Sequence, residues 1–216
     1  MRRRVAILIS GRGSNMTALI EGARAYDFPA EISVVVSNKA NAAGVAKARA
    51  AGIPVEIVES RPFGKDRAAF EKALQIVLDQ RSIDLVCLAG FMRLFTPEFV
   101  QRWHGRMLNI HPSLLPSFPG LDPHGQALKA GVKVSGATVH FVTPDTDAGP
   151  IVIQGVVAVK DDDTAETLSA RILAVEHRIY PAAVRLVADM RVRIDGDRCV
   201  TEGAVAPDTI MIAPGA

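Results

Sequence analysis

Apolar residues in the first half of the chain come in short runs, separated by stretches with helical spacing. Val5–Ser10, Ile32–Ser37, Val55–Val58 and Leu85–Ala89 read as strands, and Met16–Arg24, Ala42–Ala51 and Arg67–Gln80 between them read as helices. The last helix has the clearest pattern: Ala69, Phe70, Ala73, Leu74, Val77 and Leu78 form one face, with Glu71, Lys72 and Asp79 off it. Strand–helix alternation of this kind predicts right-handed crossovers onto a parallel sheet, an α/β fold. Thr96 precedes Pro97 as a cap does at the start of a short helix, where proline's missing donor is not needed.

The second half has a different rhythm. Met107–His111 is a predicted strand, His124–Ala130 a short helix and Val134–Val142 a longer strand. Ile151–Val159 follows a Gly-Pro turn closely enough to return antiparallel. A long amphipathic helix is predicted from Thr164, interrupted or kinked near Pro181. Val192–Ile194 and Arg198–Val200 flank Asp195-Gly196-Asp197, a hairpin signal. The pattern shows neither a repeat nor a linker. It predicts a single domain over 1–200, with halves of about 1–103 and 104–200, and an irregular tail over 201–216.

The strand at Met107–His111 ends on a polar pair. Alternation puts Asn109 and His111 on one face, about 7 Å apart, before Pro112 stops the strand. An amide beside an imidazole suits stabilising an oxyanion while moving a proton. A carboxylate to pair with that imidazole is available at Asp147, in the turn Thr143–Pro150. Ser113 lacks the Gly-x-Ser-x-Gly surround of a nucleophile elbow.

Gly11-Arg12-Gly13-Ser14-Asn15, between the first strand and the first helix, places backbone N–H groups at a helix N-terminus, where anions bind. A dinucleotide fingerprint would want a third glycine at Met16 and an acid after the second strand, which instead ends Ser37-Asn38-Lys39. A nucleoside-triphosphate loop would want Gly-Lys-Ser/Thr. A single phosphate monoester fits better than NAD or ATP.

Composition narrows the field further. A chain of 216 residues with 49% hydrophobic content can bury a substantial core, and a net charge of +2 without a basic stripe argues against a nucleic-acid partner. Val5–Ile9, after Arg2-Arg3-Arg4, is too short for a signal core or a membrane span, so a cytoplasmic protein is expected. Five histidines and the cysteines Cys87 and Cys199 show no metal-ligand spacing, and no metal is expected.

Asn109-Ile-His111-Pro-Ser-Leu-Leu-Pro, followed by Val139-His140-Phe141-Val142 and Asp147-x-Gly149-Pro150, resembles the catalytic signature of the folate-dependent formyltransferases. Ile9-Ser-Gly-Arg-Gly-Ser-Asn15, Ser37-Asn-Lys39 and Leu88-Ala-Gly-Phe-Met-Arg93 extend the resemblance over roughly residues 5–190. It implies a Rossmann-like fold, a mostly parallel twisted sheet with helices on both faces. The implied reaction moves a formyl group from 10-formyltetrahydrofolate to the amine of glycinamide ribonucleotide, in purine biosynthesis, without ATP or metal. Asn109 and His111 would stabilise the oxyanion, His111 would donate a proton, and Asp147 would favour the charged imidazolium.

The resemblance also assigns binding residues. Gly13, Ser14 and Asn15 would hold the ribonucleotide's phosphate and Glu176 its glycinamide end. The folate would meet backbone groups of Met92, Arg93, Leu94 and Phe95, a wall made by Thr143, Pro144, Asp145, Thr146 and Asp147, and Arg67 at its outer portion. Asn109 would also touch it, and the side chains of Met92, Phe95, Val100 and Met107 could line its pocket. His140 matches a position near the site. The chain departs from the commonest pattern at Asp122-Pro123 and at Ala148.

Two rivals within the family are disfavoured: a formyltetrahydrofolate deformylase would carry an N-terminal regulatory domain, and a methionyl-tRNA formyltransferase a further C-terminal domain. A non-catalytic folate or nucleotide-binding module is disfavoured because Asn109, His111 and Asp147 are all present. The expected partners are small molecules, with the protein itself a monomer or homodimer.

Overall fold

A computed structural model describes residues 2–203 and Ala213. Seven strands form one sheet: β1 (Arg3–Ile9), β2 (Ala30–Ser37), β3 (Val55–Ile57), β4 (Leu85–Leu88), β5 (Met107–His111), β6 (Val134–Phe141) and β7 (Ile151–Ala158). Their order is β3-β2-β1-β4-β5-β6-β7. The first five are mutually parallel, whereas β6 is antiparallel to both of its neighbours. The helices are α1 (Ser14–Gly22), α2 (Ala43–Ala50), α3 (Arg67–Gln80), α4 (Pro97–Arg102), α5 (Pro123–Ala130) and α6 (Ala165–Ala188).

Alternation along β1 divides the core into two layers. Val5, Ile7 and Ile9 face one side, with Met16 and Leu19 of α1, Val45 of α2 and Ile172 of α6. Ala6 and Leu8 face the other, with Phe70 and Leu74 of α3 and Phe99 and Trp103 of the α4 region. A sheet covered on both faces needs near-continuous apolar strands, which accounts for the runs seen in the sequence. Chain order reverses between β1 and β4, because β2 and β3 lie on one side and β5 onward on the other. Ligands of open α/β sheets bind at such a switch point, beyond the carboxyl ends of the strands.

At that end the strand tips are pinned from below. Tyr180 of α6 is fully buried, and its hydroxyl lies 3.0 Å from the Leu88 carbonyl and 3.1 Å from that of Leu108. The interruption expected near Pro181 does not occur: α6 continues through it. The lost N–H removes only one bond of a 24-residue helix, and the ring lies against Gly22 of α1, where a Cβ would come within 2.8 Å of it. The absent side chain on α1 makes room for the proline on α6.

The predicted hairpin is present as β8 (Val192–Asp195) paired with β9 (Arg198–Thr201), a separate two-stranded sheet turning on Gly196 at φ 60°. The irregular tail expected over 201–216 instead starts with Thr201 as the last residue of β9, and apart from Ala213 its residues beyond 203 lie outside the described residues. Among the described residues, no helix is long and apolar enough to cross a membrane.

Candidate active site

Antiparallel pairing sets Asn109 of β5 opposite His140 of β6, and His111 opposite Thr138. The loop after β6 then brings Asp147 back over the strand ends. Gly149 makes this return possible: a Cβ there would collide with the Phe141 carbonyl, and its absence lets Phe141 N–H reach Pro150 O at 2.9 Å. The side chains of His111 and Asp147 are 7% and 9% exposed, so water screens them little.

The hydrogen bonds assign the protonation pattern. His140 Nδ1 lies 2.9 Å from its neighbour's carbonyl, Phe141 O, so Nδ1 carries the proton and Nε2 accepts from the Asn109 amide at 3.3 Å. Burial is the leading cause that lowers the His140 pKa. The 3.8 Å approach of His140 Nε2 to Asp147 Oδ1 is therefore a contact between a neutral ring and a carboxylate, not an ion pair. His111 differs. Its Nε2 donates to Phe118 O at 3.0 Å and its Nδ1 faces Asp147 Oδ2 at 3.4 Å. With acceptors on both sides, the ring is fully satisfied only when both nitrogens carry protons. Asp147 Oδ2 also accepts from Gly120 N–H at 2.9 Å, which ties the 118–120 loop to the same carboxylate.

A buried network fixes that loop to the sheet. Thr138 Oγ1 donates to Ser113 O and accepts from Leu115 N–H and from Gln154, at 2.7–3.0 Å. Asp122, at the family departure, caps α5 through Gly125 N–H with φ +55°. Its carboxylate occupies the space a Cβ on residue 125 would need.

The glycine turn follows β1 at the same carboxyl edge of the sheet, two strands from β5. Gly13 is the N-cap of α1 with φ 70°, and a Cβ there would come within 2.9 Å of Gly44 Cα at the start of α2. One N–H of the Asn15 side-chain amide donates to Glu176 Oε2 at 2.7 Å. Burial raises the Glu176 pKa. The ribonucleotide candidates Asn15 and Glu176 are thus one linked pair, 161 residues apart in sequence. Beside Ser14 opens a groove of about 540 Å³ whose lining includes the cations Lys47 and Arg178 and the imidazole of His177, none of which a local motif marks.

The folate candidates divide. Met92 and Leu94 are exposed at 73% and 59%, in a segment with no helix or strand. Phe95 is half-buried and stacks between Phe91 and Phe99 at centroid distances of 5.4 and 4.7 Å. Val100 and Met107 are buried, Met107 in the apolar layer beneath the segment. Arg93 lies over the Phe70 ring, 4.8 Å from its centroid. Arg67 is exposed at the start of α3. Thr143 Oγ1 donates to Asp145 O, shaping a loop in which Pro144, Asp145 and Thr146 are exposed. Among the described residues, no group of three or more His, Cys, Asp or Glu could hold a metal ion.

The family model described as formyl transferase matches residues 3–184. The chain belongs to the formyl transferase family. Among its relatives, the phosphoribosylglycinamide formyltransferase of Escherichia coli (strain K12) is 40% identical over 211 residues, 94% of this chain and 99% of that one. The trifunctional purine biosynthetic protein adenosine-3 of Homo sapiens is 53% identical over 193 residues, and there the chain spans only 19% of the relative's length. The crystal structure of glycinamide ribonucleotide transformylase 1 from Symbiobacterium toebii has a TM-score of 0.89 at 47% identity, covering 93% of this chain and 94% of that one. A formyltetrahydrofolate deformylase from Pseudomonas syringae pv. tomato shares the fold at a TM-score of 0.86 but is 28% identical, and 66% of that chain is covered.

Proposed function

We propose that this chain transfers the formyl group of 10-formyltetrahydrofolate to the amine of glycinamide ribonucleotide, a step of purine biosynthesis, without ATP or metal. The observation that carries the reading is the meeting of Asn109, His111 and Asp147 at the strand ends, on the same sheet edge as the glycine turn after β1. The similarity to phosphoribosylglycinamide formyltransferases over nearly their whole length supports it. We read residues 1–200 as one domain, since both halves of the chain supply strands to one sheet and residues to one edge of it.

In this reading the Gly13–Asn15 turn receives the phosphate through its backbone N–H groups, with Ser14 adding its hydroxyl. Glu176, held by Asn15, meets the glycinamide end. A free α-amine titrates near ~8, so about a tenth is neutral at pH 7, a handicap of only ~1.4 kcal/mol. Activating the nucleophile is therefore a minor task. The amine nitrogen forms a bond to the formyl carbon, and the carbonyl oxygen becomes an oxyanion. The free N–H of the Asn109 amide and the His111 imidazolium stabilise it; one such donor is typically worth about 3 kcal/mol. As the bond from carbon to folate N10 breaks, the proton shed by the amine reaches that nitrogen by way of His111. His111 gives its proton to N10 and takes up the one the amine sheds, and the Asp147 carboxylate orients the ring for both transfers.

Purified protein should convert 10-formyltetrahydrofolate to tetrahydrofolate only when glycinamide ribonucleotide is present, with one formylated product per folate. Release of formate at a rate indifferent to the ribonucleotide would instead indicate a hydrolase.

A further inference from the structure

The segment between β4 and α4 has no regular structure, yet buried side chains hold it at both ends. At its start, Ser10 closes a two-point clasp: its N–H donates to Gly90 O at 3.2 Å, and its Oγ accepts from Met92 N–H at 2.8 Å. At its end, the carboxylate of Glu71 on α3 accepts from both the N–H and the hydroxyl of Thr96, the N-cap of α4. Ser10 and Glu71 are each 5% exposed. Neither is used by the chemistry described above.

Between the clasps the backbone is unpaired. Among the described residues, no hydrogen bond engages the N–H of Arg93, Leu94 or Phe95. Beneath them, Phe91, Phe95 and Phe99 form a stacked ladder that prevents the segment from sinking into the core. The backbone N–H and C=O groups of residues 93–95, none of them hydrogen-bonded among the described residues, offer donors and acceptors along a segment tied at both ends and propped from below. Such a segment matches a flat heterocycle with alternating acceptors and donors, and its fixed shape spares the ligand the cost of ordering it.

We infer that Ser10 and Glu71 are positioning residues for the folate: they hold the backbone of residues 92–95 in its ring-reading shape without touching the ligand. This rests on the formyl-transfer reading for the ligand's identity and adds which side chains set its affinity. Ser10 immediately precedes Gly11 of the anion turn, so a general collapse of β1 would weaken both substrates, whereas loss of the clasp weakens one.

The test uses Ser10→Ala and Glu71→Gln in the full-length chain, with Ser10→Thr as the variant that keeps a hydroxyl. In steady state, Ser10→Ala should raise the KM for 10-formyltetrahydrofolate about five- to ten-fold, the scale of one buried hydrogen bond. The ribonucleotide KM and the kcat at saturating folate should stay within about two-fold, and Ser10→Thr should recover most of the folate affinity. Glu71→Gln, which keeps one acceptor for Thr96, should show the same split more weakly. Calorimetric binding of tetrahydrofolate, which needs no turnover, should weaken in parallel. An equal rise in both KM values, or unchanged tetrahydrofolate binding in Ser10→Ala, would overturn the inference. Absence of transfer in the unmodified protein would instead count against the proposed function, and tetrahydrofolate binding would still test the clasp.

Discussion

Asp147→Asn isolates the charge in the site from its shape. The amide keeps an oxygen where Oδ2 lies, able to accept from Gly120 N–H and from His111 Nδ1. What disappears is one negative charge 3.4 Å from the imidazole. At an effective dielectric constant of about 20, two unit charges at that separation attract by roughly 5 kcal/mol, an upper limit because desolvating the pair opposes it. The retained neutral hydrogen bonds are worth about 1 kcal/mol each and change little. A net loss of about 3–4 kcal/mol remains, which corresponds to a kcat lower by about 10²- to 10³-fold. The folate KM should move by less than about three-fold, since the loop keeps its anchor at Gly120. Single-turnover formyl transfer with both substrates saturating measures the chemical step directly. A kcat within about five-fold of the unmodified protein would refute the electrostatic role. A large rise in KM with kcat intact would recast Asp147 as an anchor of the 118–120 loop.

Three other outcomes follow from the geometry. Gly13→Ala must place a side chain at φ 70° and within 2.9 Å of Gly44 Cα, so ribonucleotide affinity should fall at least about ten-fold; inorganic phosphate should compete with the ribonucleotide in the unmodified protein and lose potency in the variant. Glu176→Gln removes a carboxylate whose raised pKa makes its ionisation destabilising above about pH 4.5, so the ligand-free variant should melt higher at pH 7 while binding the ribonucleotide less well, and a lower melting temperature would contradict this. Burial lowers the pKa of His140, His124 and His177, so the unfolded chain takes up protons near about pH 6.5 that the folded chain resists. Stability from this source is present above that pH and lost as pH falls below it; calorimetric melting temperatures that stay level from about pH 7 to 5.5 would contradict it.

What the sequence reveals here depends on the range of the contact. The bounds of β5 and α3 are legible because an alternating run ended by Pro112 and a two-faced helical stripe are local patterns. The proximity of Asn109 and His111 follows from the same alternation. The partners of His111 are not local in the same way. Nothing in Ser117-Phe118-Pro119-Gly120 marks one carbonyl and one N–H for the imidazole and its carboxylate, since backbone groups leave no trace in side-chain identity. Asn15 reads as a phosphate donor from its place in the turn, because its partner on α6 is invisible until the chain closes. The place of Phe95 in an aromatic stack is hidden for the same reason: only tertiary packing shows Phe91 and Phe99 on either side of it. Pro181 misleads in the opposite sense, since the rule that proline breaks helices knows nothing of the bare Cα at Gly22.

The span between Asn15 and Glu176 also bears on how the molecule is made. As the polypeptide leaves the ribosome, β1 and the glycine turn emerge first, yet the carboxylate that fixes Asn15 belongs to a helix translated near the end of the domain. Contacts of such sequence separation form late, after much loop entropy has been surrendered. A nascent chain halted before that helix would present an unfinished nucleotide pocket, so competence to capture the ribonucleotide should arise abruptly rather than grow with length.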